Sequence, residues 1–174
     1  VDKVGVMFTE IGCVESRKAY KEFVDTTYPN DTLVEKGLAS FMTENQSVHL
    51  LWPNTNWLSF LKRMYYFNHH NPKQVEILFA DRNWLDRSML EARDSIMADN
   101  IISTILSDSI QKSLIIMNYR HAYLTSGNCG NYISQKFPDK VANVMINFGK
   151  ADLISAILKP GNEMIKPIQY GKWD

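Results

Sequence analysis

The feature that most constrains this chain is an alternation. Short, continuously apolar runs are separated by long stretches whose apolar residues recur at helical spacing. The runs are VGVMFTEIG at the start, QVEILFAD near the middle, then SLIIM leading into NYRHAY, and KVANVMIN. Each is bounded by turn residues and has the length of a strand. They are apolar throughout rather than alternating, which is how strands covered on both faces read. Strand, helix, strand in repetition implies parallel pairing, because a crossover helix returns the chain to the same end of the sheet. The pattern predicts an α/β chain: one three-layer α/β/α domain over residues 1–174, with a mostly parallel sheet.

The helical stretches carry their own signals. VESRKAYKEFVDTTY has Val14, Ala19, Phe23 and Val24 on one side and ends at Tyr28-Pro29-Asn30-Asp31. Asp31 or Thr32 is expected to cap TLVEKGLASFMTEN, and Asn54 or Thr55 to cap NTNWLSFLKRMYYFNHH. In that third helix Trp57, Leu58, Leu61, Met64 and Tyr65 follow the helical period. Its aromatic stripe is expected to face the core, and Asn71-Pro72 stops it. A long helix is expected from about Ser88 to Leu106, with Met97, Ile101 and Ile105 as its core stripe. GNCGNYISQKF reads as a short helix or turn, and KADLISAILKPGNE as a last helix stopped by Pro160-Gly161. The opening on a buried-looking strand and the ending on YGKWD are consistent with a segment cut from a longer chain at one or both ends.

Composition removes several functions. Lys plus Arg and Asp plus Glu are 19 each, and no basic run is present, so the electrostatic footprint of a nucleic-acid binder is missing. No apolar run is long enough to span a bilayer, and no charged segment followed by an apolar one reads as a signal peptide. Cys13 and Cys129 are too few for a disulfide framework and wrongly spaced for zinc; two buried thiols are expected. His69-His70 sits at a helix end with no third ligand at metal spacing, so no metal site is expected there. His49 reads as a surface or strand-edge residue, and GNCGN is too glycine-poor for a phosphate loop. The partner these patterns leave is a small molecule.

In a parallel α/β sheet, ligands bind beyond the carboxyl ends of the strands, where loops and helix N-termini present polar groups. The first strand offers Glu10 and Glu15 there, and the second Asp81. The third offers Asn118, Tyr119, Arg120 and His121. On the long helix, Arg93, Met97 and Asn100 are four and three apart, so they share a side. A charge beside a core needs a partner, and a carboxylate such as Glu10 is the natural one for Arg93. The alternative to a site is a buried Arg–Glu clamp that only fixes helix against sheet. His121 has the side chain best suited to proton transfer near neutrality.

Three stretches, VMFTEIGCVES, EARDSIMADNI and IIMNYRHAYL, resemble in that order the erythromycin esterase-like and ChaN-like superfamily, which includes the TraB and Tiki proteins. The helix motif of that group, R-D-x-x-M-A-x-N-I, is matched by Arg93, Asp94, Met97, Ala98, Asn100 and Ile101. The histidine motif is matched only through His121, and the closing YGKWD also looks like a segment of that family. The resemblance implies an α/β domain with a cleft holding Glu, Arg and His. Members include esterases that open macrolide lactones, haem-binding proteins of iron uptake and metal-dependent peptidases. The esterases also carry a G-E-x-x-H segment on a preceding strand, which the residues given do not include. An envelope or secreted location is what the resemblance implies if an N-terminal segment has been removed.

The first expectation is therefore an esterase-like hydrolase, or a relic of one, that cleaves an ester-like bond without a metal. Glu10, Arg93 and His121 would be its catalytic groups, with Glu15, Asp81, Asn100, Tyr119 and Arg120 around the substrate. Glu10 would hold Arg93 or orient a water, and Arg93 would stabilise developing negative charge. His121 would act as general base or acid. The alternative is a ChaN-like binding protein for haem or another large planar ligand, with His121 or Tyr119 as ligand. Both expect Glu10, Arg93 and His121 to meet in one water-accessible hollow.

Overall fold

The computed structural model describes residues 4–44, 54–83, 92–124, 127–144, 157–158 and 164–165. His49 and the start of the long helix at Ser88 lie outside them. The chain divides into two compact units, Val1–Met117 and Asn118–Asp174, each with its own sheet.

The first unit is an α/β layer structure. Strand β1 runs Val6–Cys13, followed by a 3-10 turn, Val14–Ser16, and helix α1, Arg17–Asp25. Helices α2, Asp31–Glu44, and α3, Asn54–His70, lead to β2, Glu76–Asp81. Helix α4, Arg93–Ser107, then returns the chain to β3, Ser113–Ile116. The three strands form a sheet of order β2-β1-β3, parallel throughout, as the alternation requires.

Side-chain alternation assigns the two faces. Met7, Ile77 and Phe79 join one aromatic-rich core with Tyr20 and Phe23 of α1, Phe41 of α2, and Trp57 and Tyr65 of α3. The stripe expected on α3 is thus core. Burying each such large side chain stabilises the fold by roughly 1.5–3 kcal/mol. On the other side α4 packs on β2, with Met97, Ala98 and Ile101 fully buried.

Local chemistry departs from expectation at several points. Helix α2 is capped by Asn30, whose Oδ1 accepts the Leu33 N–H at 3.0 Å, and not by Asp31 or Thr32. Asp31 instead joins Lys62 and Tyr66 of α3, which removes it from capping. Helix α1 ends at Asp25, where the Thr26 hydroxyl donates to the Glu22 carbonyl. Coverage of both sheet faces holds for β1 and β2 but not for β3. Leu114 and Ile116, aligned with Met7 and Thr9, remain 48% and 46% exposed.

From Ser113 onward the structure corrects the rest of the strand assignment. The apolar run SLIIM gives only four strand residues, and Tyr119–Ala122 form a helical turn, α5. The cause is local: the Asn118 side chain accepts the Arg120 N–H at 3.1 Å, the N-cap geometry that starts a helix. Helix α6, Cys129–Lys136, follows the short-helix expectation. Gly130 is needed there because a Cβ would meet the Ala122 carbonyl oxygen at 2.5 Å. Of the fourth expected strand, Asn143–Val144 pair antiparallel with Ile157–Leu158, which pair antiparallel with Met164–Ile165. These are β4, β5 and β6, a second sheet and not an extension of the parallel one. Ile157 and Leu158 are therefore strand where a helix was expected, because the apolar run pairs with neighbouring strands.

Candidate functional site: a buried carboxylate–guanidinium centre

The first unit brings Glu10, Asp81 and Arg93 together at the carboxyl ends of β1 and β2. The strand ends are built for it. Thr9 pairs with Phe79, but the next pairing is Cys13 with Asp81, so β1 carries extra residues against β2. This bulge spans Glu10 to Gly12, and bulges re-aim side chains at sheet rims. Gly12 makes it possible, with φ +105° and the Phe79 ring only 2.7 Å from where a Cβ would sit. Glu10 ends 2% exposed, inside the fold.

Arg93 is the first residue of α4 and points back over the end of β2. Its Nε and Nη2 both donate to Asp81 Oδ2, at 3.0 and 2.7 Å. Its Nη2 also lies 3.8 Å from Glu10 Oε2. The expected Arg–Glu pairing is therefore present, but Asp81 is the tighter partner. Both carboxylates are buried, while the Arg93 side chain keeps 18% of its surface. Removing two carboxylates from water costs several kcal/mol each unless a cation stands beside them, and one guanidinium serves both.

The strand end is tied down from two sides. Asn100 Nδ2 donates to the Ala80 carbonyl at 2.9 Å. Arg17 Nε donates to the Phe79 carbonyl at 2.7 Å, and its Nη1 reaches Thr104 Oγ1 at 3.0 Å. Asn100 thus shares the interior side with Arg93, as its spacing implied, but its amide holds backbone. Arg17 was not legible as part of this region, since nothing in VESRKAYKEF separates it from the surface lysines beside it. Burial pushes the Arg17 guanidinium below its ordinary value, while Glu76 and Asp108 act the other way.

Other expected groups have surroundings of their own. Glu15 is exposed on the 3-10 turn. The neighbouring Cys13 thiol is buried and sits 2.9 Å from Ser16 Oγ. Burial pushes that thiol up, the Ser16 hydrogen bond opposes the shift, and the Glu15 carboxylate adds to it. Tyr119, Arg120 and His121 belong to the second unit, on the capped turn α5. There Arg120 Nε donates to the Tyr119 hydroxyl at 3.2 Å, and Tyr119 is half exposed. Cys129 is buried in the same unit. His69 and His70 each place Nδ1 on a helix carbonyl four residues back, as helix-end residues do. No group of three metal-ligating side chains occurs among the described residues. An open groove of about 520 Å³, lined by Val4, Gly5, Phe67 and Lys73 among others, lies at the opposite, amino-terminal end of β1 and β2 and holds no expected site residue.

Fold and cluster together define an α/β unit with a buried two-carboxylate, one-guanidinium centre at the ligand-binding end of a parallel sheet. Comparisons with protein families, with curated proteins and with solved structures find no match to this chain. No helix among the described residues is long and apolar enough to cross a membrane.

Proposed function

We propose that the chain is an esterase-like hydrolase acting on an ester-like bond, with Glu10 and Arg93 as the groups that meet the substrate. One observation carries the reading. Two buried carboxylates from adjacent parallel strands converge on an arginine whose side chain is still partly exposed, at the end of the sheet where ligands bind. A cation fixed in that way stabilises an oxyanion without reorganising during the reaction. A carboxylate beside it orients the attacking water or takes its proton. Proton transfer by His121 is a separate element of the reading, and His121→Ala tests it alone. The aromatic stripe of α3, which could have lined a pocket for a large apolar ligand, is packed in the core as expected, with Trp57 and Tyr65 buried. The hydrolase is therefore preferred to the haem-binding alternative.

The test is hydrolysis of p-nitrophenyl acetate and of a macrocyclic lactone by the full chain and by Arg93→Lys. Saturable turnover that falls about 100-fold or more in Arg93→Lys supports the assignment. Equal rates in the two proteins, or no turnover in either, overturn it. A Soret shift on titration with hemin, lost in His121→Ala, would favour the haem alternative.

A further inference from the structure

We infer that Asp81 is a positioning residue: it fixes the rotation of the Arg93 guanidinium so that the edge it binds also faces Glu10. This rests on the hydrolase reading above and adds the group that aims its cation. Asp81 was expected to touch substrate, but both of its oxygens are already engaged. Oδ1 accepts the backbone N–H of Arg82 at 2.9 Å. Oδ2 accepts Nε and Nη2 of Arg93 together.

Two N–H donors on one oxygen fix the plane of a guanidinium in a way that a single bond does not. That oxygen is itself held. Asp81 is the last residue of β2, and the two carbonyls before it are bound by Asn100 from α4 and by Arg17 from α1. The same Nη2 that meets Asp81 lies 3.8 Å from Glu10 Oε2. Strand end, carboxylate, guanidinium and second carboxylate thus form one chain of fixed geometry. Small displacements of a catalytic cation cost rate out of proportion to their size.

The experiment compares the full chain with Asp81→Asn, which keeps the shape but replaces one oxygen by an amide N–H. Its first readout is the 15N NMR signal of the Arg93 Nε–H. In the unaltered chain this proton is expected to exchange at least about ten-fold more slowly than that of exposed Arg63. In Asp81→Asn the protection is expected to vanish, while Glu10→Gln retains it. The second readout is ester turnover, where Asp81→Asn is expected to lower kcat about 100-fold with little change in KM. Unchanged Arg93 protection in Asp81→Asn overturns the inference, and so does a raised KM with kcat intact, the mark of a substrate contact. If the variant does not fold, the unaltered chain still decides: Arg93 exchange as fast as that of Arg63 overturns the inference, and slower exchange supports it. A protected Arg93 signal in a chain that cleaves no ester refutes the hydrolase reading while leaving the positioning role of Asp81 in place.

Discussion

Two places in the first unit set one cation between two carboxylates, and they differ in almost everything else. On the surface, Lys62 Nζ lies 2.7 Å from Asp31 Oδ2 and 2.6 Å from Glu35 Oε1, and both acids are 60% exposed. At the sheet end, Arg93 stands between Asp81 and Glu10, whose side chains are 3% and 2% exposed. The surface group ties α2 to α3 with charges that water and salt already screen. The two interior carboxylates are almost out of solvent, so they depend on the guanidinium between them far more than the surface acids depend on Lys62. Lysine suits the first place as a mobile point charge, and arginine suits the second as a rigid fork. Short distances alone therefore say little; the surroundings decide which cluster matters to the fold and to chemistry.

The comparison breaks first at Arg93. Arg93→Ala leaves two buried carboxylates without their cation and is expected to cost about 3–5 kcal/mol in urea unfolding. A cost under about 1 kcal/mol would put the interior cluster in the same class as the surface one. Next comes Gly12→Ala, where positive φ and overlap with the Phe79 ring are expected to cost about 2 kcal/mol. Because Gly12 shapes the bulge that carries Glu10, it is also expected to lower any Arg93-dependent turnover.

A smaller effect of opposite sign is expected at Tyr20. Its hydroxyl is buried with no hydrogen-bond partner among the described residues, so Tyr20→Phe is expected to stabilise the protein by about 1 kcal/mol. Burial pushes the Tyr20 phenol far above its ordinary value. Its folded value lies above its unfolded one, so the stability linked to it is fully present below about pH 10 and is lost as the pH rises from there. Alkaline unfolding followed by circular dichroism is expected to be steeper in the unaltered chain than in Tyr20→Phe.

The smallest change is expected at Lys62→Met. The Lys62 ammonium, and after it the Tyr66 hydroxyl, hold the Asp31 carboxyl below the usual carboxylate range. A depressed folded value means a contribution that is present above about pH 4 and lost as the pH falls below it. Lys62→Met is expected to lower the melting temperature slightly at neutral pH, to flatten that acid limb, and to have no effect in high salt. A large, salt-independent loss would reverse the ranking of the two clusters.

Much of this was legible in the sequence, for identifiable reasons. Apolar runs of strand length gave β1 and β2 and their parallel pairing, because burial on both faces leaves no polar alternation to confuse. The i, i+4 and i+3 spacings put Arg93, Met97 and Asn100 on one side of α4, and the need to pair a charge beside a core pointed to Glu10 for Arg93. What was not legible depended on contacts between distant elements or on a single cap. Asp81 outcompetes Glu10 because the bulge at Gly12 shifts β1 against β2, which no local pattern records. One Asn118 side chain turns NYRHAY from a strand into a helical turn. Arg17 binds a strand carbonyl 62 residues away, a relation that helical periodicity does not carry.

The most direct test of the central claim is turnover and melting temperature measured together on Glu10→Gln, which keeps the size of the side chain and removes its charge. A working site predicts ester hydrolysis reduced at least about 100-fold in a protein that still melts cooperatively. A purely structural clamp predicts the reverse: a shifted melting temperature with the rate of hydrolysis unchanged, and that outcome would contradict the account.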